Sequence, residues 1–597
     1  MSRLTSSSCC VWLWAAACAA GGGGGTGAAS TGAVASSGAS CTASTGGASG
    51  SGGGASSTGA ASGSSGAGPS SGGAATAGIG TSGAGSSGGG SGDSAGTSGG
   101  GQVVDGGLSP ALFGFIVNAQ ADTQPELPFG TWRIWDDQAQ WPMLQPDGGA
   151  FVWGALDHWL GPVAADIDAG TLHDVLYTFM RIPQWAATAQ DQYLPDGGSI
   201  SCNYDKDLGG PRQCYPMSDV AWDGGGADHI WRNAVAQIGA HIYQALPPGT
   251  PLYWTLWDEI YRSSTLLQAS AITPETADGE MSWEGSFEEL VRVYQDASCI
   301  LNGHTQTILA TGESCAQVLA SVGLSAPVAP GSFVLSPAGS AVPPVGFSVV
   351  RQFLYCDLPP DAGLEPCSTG SAGAEAVDGI NFEFYLYCSD LNGSGAASCA
   401  SKNPKGGGDV SFEEAFAYYE QNIAAALEPA EKAKPLFSAE GGWGKSIPAG
   451  ADGPLRAAYL GRYYLLAASA GLGHALWYAY DIPSTGGLYD PSASQPLAGA
   501  TAWSTVVGWL GGATLTAPCA KASGSYWTCG LRLADGSNAL ALWDSASTCD
   551  PSGCSTTQIS APAGSWSHYL DLAGDPPIAI QGGMVPASLQ PILLTSE

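Results

Sequence analysis

Short apolar segments rich in β-forming residues alternate with segments of helical period along residues 105–500. The strand candidates are Leu112–Val117, Thr131–Trp135, Asp174–Met180, Leu252–Trp257, Gln306–Ala310, Gly379–Tyr385, Pro435–Ala439 and Ala475–Tyr480. Eight strands with helical connections predict an α/β fold, a parallel (β/α)8 TIM barrel. In such a barrel the active site lies at the carboxyl ends of the strands.

The helical segments carry their own start signals and apolar faces. Ser286 with Glu289, and Ser411 with Glu414, have the spacing of a capping box. The second helix has an apolar stripe at steps of three and four, formed by Phe412, Phe416, Tyr419, Ile423 and Leu427.

The pattern changes in residues 501–597, where short β-prone runs are separated by Gly, Pro, Ser and Asp turns. The runs are Ser525–Leu533, Ala539–Trp543, Ser567–Leu572 and Gln590–Thr595. They predict a small all-β sandwich after the barrel. Its aromatic residues, among them Trp527 and Trp543, fit either core packing or sugar binding.

The beginning of the chain has a different composition. Of the 89 glycines, many lie in residues 19–104, a tract of almost only Gly, Ser, Ala and Thr that predicts a disordered linker. Residues 1–18 have Arg3, an apolar stretch and small residues before Cys18, as in a secretory signal peptide. The segment resembles a bacterial lipoprotein signal, which implies lipidation at Cys18. Ordinary signal cleavage is the alternative.

The net charge of the chain restricts the kinds of partner that we expect it to bind. The chain carries a net charge of −33, and only Arg3 and Asp93 lie before residue 103. A surface this acidic repels phosphate backbones and anionic lipid headgroups, so we expect no nucleic-acid partner. Membrane contact is expected only through the N-terminal lipid. The signal-like segment predicts that the protein is exported, as a cell-surface or outer-membrane lipoprotein or in secreted form.

Twelve cysteines beyond residue 104 fall into near neighbours. The pairs are Cys202 with Cys214, Cys299 with Cys315, Cys356 with Cys367, Cys388 with Cys399, Cys519 with Cys529, and Cys549 with Cys554. In an exported chain they predict six local disulfides. No CxxC spacing appears outside the signal and the histidines are scattered, so neither a metal nor another cofactor is predicted.

Two glutamates directly follow predicted barrel strands. Glu259 ends the apolar segment that begins at Leu252, and Glu440 ends the segment that begins at Pro435. Counted from Leu112, they terminate the fourth and seventh strands, on the face where a barrel builds its active site. Both are therefore candidate catalytic residues.

At these residues the chain resembles clan A of the glycoside hydrolases, and most of all family 39 and its relatives. The resemblance rests on Trp257-Asp258-Glu259, on Glu440-Gly441-Gly442-Trp443 and on Phe129–Trp135, with Asp378–Phe382 and Pro591–Leu594 as further pieces. It implies that Glu259 is the general acid/base and Glu440 the nucleophile of a retaining glycosidase. Such an enzyme cleaves O-glycosidic bonds by double displacement. The substrate would be an extracellular poly- or oligosaccharide.

Other residues are candidates for substrate binding, and two depart from the family pattern. Asp258 stands where the family has Asn, and Glu383 stands where relatives often have His. These extra carboxylates favour the alternative, a non-catalytic surface protein that binds polysaccharide on the same fold. Arg133 suits a sugar hydroxyl, the orientation of Glu440 or a structural ion pair. The aromatic candidates for sugar stacking are Trp185, Tyr385, Trp443 and Trp477.

Overall fold

The computed structural model describes the chain from residue 107 onward, with gaps. The described residues are 107–118, 124–188, 213–260, 263, 266, 282–340, 346–357, 367, 373–386, 411–443, 453–483, 486–550 and 552–596. They belong to one compact unit, Ser94–Glu597. The predictions for residues 1–104, including Cys18, lie outside the described residues.

A parallel sheet forms the first layer of the fold. Its strands are β1 (Phe113–Ile116), β2 (Thr131–Ile134), β3 (Asp174–Thr178), β4 (Leu252–Thr255), β5 (Phe333–Leu335), β6 (Gly339–Ser340), β7 (Ile380–Leu386), β8 (Leu436–Trp443) and β9 (His474–Tyr478). Their order is β5-β4-β3-β2-β1-β9-β8-β7-β6. The Ser336 amide donates to the Gly379 carbonyl at 2.8 Å, which links the β5 end of the sheet to the β7 end.

β5 and β6 act as one strand interrupted at Pro337. Proline has no N–H to donate to a neighbouring strand, so the ladder stops there and resumes two residues later. With β5 and β6 counted together, the sheet has eight strands and closes into a barrel, which confirms the predicted fold class. β4 is the fourth of these strands and β8 the seventh.

Helices and short turns connect the strands. They are α1 (Trp141–Leu144), α2 (Gly154–Ala169), α3 (His229–Ala245), α4 (Phe287–Leu301), α5 (Cys315–Ser321), α6 (Gly346–Tyr355), α7 (Phe412–Tyr418), α8 (Pro429–Lys432), α9 (Pro454–Ser469) and α10 (Ala498–Leu510). Both predicted capping boxes are present, at the start of α4 and of α7. The predicted apolar stripe is buried, although after Tyr418 the chain continues as a π turn and a 3-10 turn. None of the helices within the described ranges has both the length and the apolar character needed to cross a bilayer.

The predicted strand Gln306–Ala310 is wrong. Ile308 is buried there, but its amide donates to the Glu313 carbonyl at 2.8 Å, so the segment turns back on itself. The Cys299–Cys315 disulfide holds this turn against α4. The strand that takes the fifth place in the barrel is β5, which is three residues long and was too short to stand out as an apolar run.

The C-terminal part is an all-β layer, as predicted. Its larger strands are β12 (Thr514–Ser523), β13 (Tyr526–Arg532), β14 (Asn538–Asp544), β18 (His568–Leu570), β19 (Ile578–Ala579) and β21 (Ile592–Thr595), in the order β12-β13-β14-β21-β18-β19. The shorter pairs are β15 (Cys549–Asp550) with β16 (Gly553–Cys554), and β17 (Thr557–Ser560) with β20 (Met584–Ala587). The hairpin of β10 (Tyr489–Asp490) and β11 (Gln495–Pro496) lies before α10, in the barrel part of the chain. Trp543 is buried and stacks on Trp527 at 6.0 Å between ring centroids, which agrees with core packing.

Four of the six predicted disulfides are confirmed. They join Cys299 to Cys315, Cys356 to Cys367, Cys519 to Cys529 and Cys549 to Cys554. Cys214 is also disulfide-bonded. Its predicted partner Cys202, and the predicted pair Cys388 with Cys399, lie outside the described residues.

A buried ion pair connects the barrel helices to the β layer. Glu413, at the start of α7, accepts two hydrogen bonds from Arg462 of α9, at 2.7 and 2.5 Å. The Trp543 indole of β14 donates to the same carboxylate at 2.7 Å. Burial alone would raise the pKa of Glu413, but the Arg462 guanidinium and these hydrogen bonds hold it below its ordinary value.

We therefore expect Glu413→Gln to lower the free energy of unfolding at pH 7 by about 3–5 kcal/mol, because it removes the negative charge that the buried Arg462 guanidinium binds through two hydrogen bonds. The loss should shrink as the pH falls below about 4, since the lowered pKa means that the native carboxylate gives up its contribution there. Urea unfolding at several pH values measures both effects. The neighbouring Glu414→Gln is the matched control, because glutamine still completes the capping box and Glu414 is exposed. Equal losses in the two variants would contradict the expectation.

Candidate active site

The segment after β4 carries Asp258 and Glu259, and buried contacts fix its backbone. The Trp257 amide donates to the Tyr294 hydroxyl of α4 at 3.2 Å, and the Trp257 indole donates to the Ser282 carbonyl at 2.8 Å. The Ser282 hydroxyl donates to the Asp258 carbonyl. Both carboxylate residues are buried, with Asp258 at 0% and Glu259 at 3% relative exposure.

Glu259 has an uncommon backbone conformation. Its φ is +47°, in the left-handed region that a residue with a Cβ atom adopts only at a cost. Such strain concentrates at functional positions, where the surrounding contacts hold a side chain in place.

An irregularity in β8 sets the position of Glu440. On the β7 side the register passes from Phe382 opposite Ser438 to Glu383 opposite Glu440, so Ala439 is an extra residue in β8. The Asn381 side chain of β7 accepts a hydrogen bond from the Ala439 amide at 3.0 Å. A bulge of this kind re-aims the residue that follows it. Glu440 consequently lies beside Glu383 at the carboxyl end of the barrel.

Two glycines follow Glu440 in β8, just after the bulge at Ala439. A Cβ atom on Gly441 would lie 2.3 Å from the Tyr463 hydroxyl, and Gly442 has a φ of +134°. The Tyr463 hydroxyl is itself 2.8 Å from the Ser438 hydroxyl, which donates to the Glu440 carbonyl at 2.8 Å. The glycines thus allow close packing that holds the Glu440 backbone.

Arg133 of β2 joins the two strand ends. Its guanidinium donates to Asp258 and, at 2.8 Å, to Glu440, so it forms an ion pair with each. Further donors reach the Ala439 carbonyl at 3.0 Å and the Thr178 hydroxyl at 2.9 Å. Arg133 is completely buried. Of the roles open to it from the sequence, the ion pair and the orientation of Glu440 are the ones that these contacts support.

Tyr385 of β7 completes the surroundings of Glu440. Its hydroxyl donates to the second carboxylate oxygen of Glu440, opposite the oxygen that Arg133 binds. Burial and the adjacent carboxylates of Glu440 and Glu383 raise the pKa of Tyr385 well above its ordinary value, so its hydroxyl keeps its proton. Burial, and the charges of Asp258 and Glu259, raise the pKa of Glu440 well above its ordinary value. The Arg133 charge and the Tyr385 hydrogen bond act against this rise.

Asp258, Glu383 and Glu440 form a buried carboxylate cluster. Each offers an oxygen within 4.8 Å of the oxygens of the other two, a spacing that also suits a cation. Arg133 already brings a positive charge to two of the three, so we assign no metal to the cluster. Burial raises the pKa of Glu383 well above its ordinary value, and the charges of Asp258, Glu259 and Glu440 raise it further.

The aromatic candidates differ in exposure. Trp185 is 37% exposed, and its indole donates to the Gln145 carbonyl at 2.7 Å, so one part of the ring is fixed and another is open. Trp477 of β9 is completely buried, and its indole donates to the Gly486 carbonyl at 2.9 Å. Trp443 is the last residue of β8, and its side chain lies outside the described part. Stacking of sugar on these rings stays a prediction.

Sequence reasoning missed a second polar group on the same barrel face. The Asn118 side chain and the Tyr478 hydroxyl both donate to Asp136, at 3.2 and 2.8 Å, and the Asn118 amide donates to Asp481 at 2.7 Å. These residues follow or end β1, β2 and β9. The positional rule that singled out Glu259 and Glu440 would have found them if it had been applied to every strand end.

The fold of this chain is similar to solved structures of glycoside hydrolases. A family 39 enzyme from the gut symbiont Bacteroides cellulosilyticus is similar with a TM-score of 0.46 and 14% identity, over 83% of this chain and 82% of that one. A family 30 subfamily 8 xylanase from Clostridium acetobutylicum has a TM-score of 0.43 and 10% identity, over 82% and 97%. A family 51 arabinofuranosidase from Xanthomonas axonopodis pv. citri has a TM-score of 0.38 and 11% identity, over 82% and 98%. No protein-family model and no curated protein matches the sequence.

The left-handed conformation of Glu259 predicts an unusual order of stability. Glu259→Gly should be more stable than Glu259→Ala by about 1 kcal/mol, because glycine adopts this φ without the Cβ clash. At an ordinary helix or strand position the order is reversed, since alanine restricts the unfolded chain. Thermal and urea unfolding of the two variants decide this. A more stable alanine variant would mean that Glu259 is not held in this conformation.

Proposed function

We propose that this protein is a retaining glycoside hydrolase that acts on an extracellular poly- or oligosaccharide. One observation carries the proposal. Glu259 and Glu440 are both buried after the fourth strand and in the seventh strand of the barrel, and Asp258, the residue before Glu259, has a carboxylate oxygen within 4.8 Å of one of Glu440. Glycoside cleavage requires two carboxyl groups at one site, one to protonate the leaving oxygen and one to attack the anomeric carbon.

In the first step Glu259 gives its proton to the glycosidic oxygen while Glu440 attacks the anomeric carbon. The bond to the leaving sugar breaks, and a covalent glycosyl ester forms on Glu440. In the second step Glu259, now a carboxylate, takes a proton from water, and the resulting hydroxide attacks the anomeric carbon and releases Glu440. The anomeric configuration is therefore retained.

The contacts of Glu440 suit a nucleophile. Arg133 binds one of its oxygens and Tyr385 the other, so the carboxylate is held at both ends before substrate arrives. Hydrogen bonds to the charged form favour ionisation and offset part of the cost of burial. This arrangement supplies orientation, which is a large part of what an enzyme contributes to a bond-forming step.

Separate Glu259→Gln and Glu440→Gln variants test the assignment. Glu440→Gln should lower kcat by about four orders of magnitude or more for every substrate, because no ester can form. Glu259→Gln should lose at least about a hundredfold on substrates with a poor leaving group, and much less on activated aryl glycosides whose leaving group needs no proton. Assays of aryl glycosides and a polysaccharide panel measure this, and NMR of the first-formed anomer measures retention.

The exposed Glu375→Gln, on the turn before β7, is the matched control and should behave as wild type. A wild-type protein that binds polysaccharide but turns over nothing on a broad panel, with binding kept in both variants, would favour the alternative of a non-catalytic binding protein. A first product of inverted configuration would exclude double displacement.

We further propose that the protein is exported and held at the membrane through a lipid on Cys18. The four disulfides fit a chain that folds outside the reducing cytoplasm.

If a lipid is the anchor, Cys18→Ala should move the protein from the membrane to the soluble fraction, because its acidic surface gives it little affinity for anionic lipid. Fractionation after expression with the native signal measures this. Undiminished membrane retention of the variant would refute the anchor.

A further inference from the structure

The polar group at the ends of β1, β2 and β9 lies beside the proposed nucleophile. Tyr478 is the last residue of β9, and its hydroxyl donates to Oδ2 of Asp136 at 2.8 Å. The Tyr478 ring lies 6.4 Å, between centroids, from the ring of Tyr385, whose hydroxyl donates to Glu440. Asp136 also follows Arg133 by three residues, and Arg133 binds Glu440 at 2.8 Å. Two separate routes therefore place Asp136 near Glu440.

The protein binds only one of the two carboxylate oxygens of Asp136. The Asn118 side chain and the Tyr478 hydroxyl both donate to Oδ2, at 3.2 and 2.8 Å. Within the described ranges, Oδ1 has no hydrogen-bond partner, and Asp136 is partly exposed. Asn118 is itself fixed, because its backbone amide donates to Asp481 at 2.7 Å. Oδ1 is therefore a preorganised acceptor at the barrel face.

The charges around Asp136 favour a ligand group that donates a hydrogen bond. Burial raises the pKa of Asp136 above its ordinary value, but the hydrogen bonds to Oδ2 and the charges of Arg181 and Arg133 act against this rise. Both arginines are buried, at 3% and 0% relative exposure. Arg133 already uses four of its five N–H groups within the protein. A ligand that reaches Oδ1 therefore meets a negatively charged acceptor.

We propose that Asp136 is a specificity-determining residue whose Oδ1 accepts a hydrogen bond from a hydroxyl group of the sugar that Glu440 attacks, so that the site takes neutral sugars and rejects uronic acids. The proposal rests on the proposed glycosidase function, because it concerns the sugar at the nucleophile. A hydroxyl group forms a strong hydrogen bond with a carboxylate. The carboxylate of a uronic acid would instead lose its water beside a like charge, which is unfavourable.

Matched aryl glycosides that differ only at carbon 6 test the proposal. The pairs are glucosides with glucuronides, and galactosides with galacturonides, in both anomeric forms. Wild type should prefer the neutral member by about a hundredfold or more in kcat/KM, because like charges suppress the wrong ligand. Asp136→Asn should reduce this preference about tenfold or more, since asparagine keeps an oxygen for Asn118 and Tyr478 but removes the charge and adds a donor. The exposed Glu375→Gln should keep the wild-type preference.

A purely structural role for Asp136 predicts a different result. Loss of structure lowers kcat/KM for both members of a pair alike, so their ratio stays constant. Asp136→Glu is the second variant, because it keeps the charge but moves the oxygens. It should raise KM for the neutral glycoside severalfold while the uronide stays a poor substrate. An unchanged ratio in Asp136→Asn, or wild-type turnover of uronides as fast as of neutral glycosides, would overturn the proposal.

Equilibrium binding decides the matter independently of turnover. Calorimetry with the same matched glycosides is carried out on Glu440→Gln, which cannot form the ester, with and without Asp136→Asn. If wild type turns over no glycoside but binding favours the neutral member and Asp136→Asn weakens that preference, the glycosidase proposal fails and the role of Asp136 stands. Equal binding of neutral and uronic ligands, or binding of neither, refutes the role of Asp136.

Discussion

The site depends on one buried cation. Arg133 reaches from β2 to Asp258 after β4 and to Glu440 in β8, and its remaining donors bind Thr178 and the Ala439 carbonyl. A closed parallel barrel is what brings these strand ends within reach of a single side chain. Removing one partner from such a pair leaves a buried charge, at a cost of about 3–5 kcal/mol, so the strand ends are held together by charge as well as by the sheet.

The support for this cation extends outward through packed side chains. The bulge at Ala439 is held by Asn381, and the backbone after it lies against Tyr463 of α9. One residue before Tyr463, Arg462 binds Glu413, which also accepts the Trp543 indole of the β layer. The C-terminal layer thus contacts the helix that braces β8. β8, which carries Glu440, and the β layer both contact α9, so the barrel and the layer pack as one unit.

The sequence predicted the parts of the fold that depend on periodicity. Most barrel strands, both capping boxes and the apolar stripe from Phe412 to Leu427 follow from patterns that local chemistry determines. Gln306–Ala310 failed because a short apolar run also suits a disulfide-closed turn, and β5 was missed because three residues make too weak a pattern. Position after a strand selected Glu259 and Glu440 as candidates, and their catalytic roles stay a prediction. The bulge in β8 and the burial of Trp477 depend on tertiary contacts that no local pattern contains.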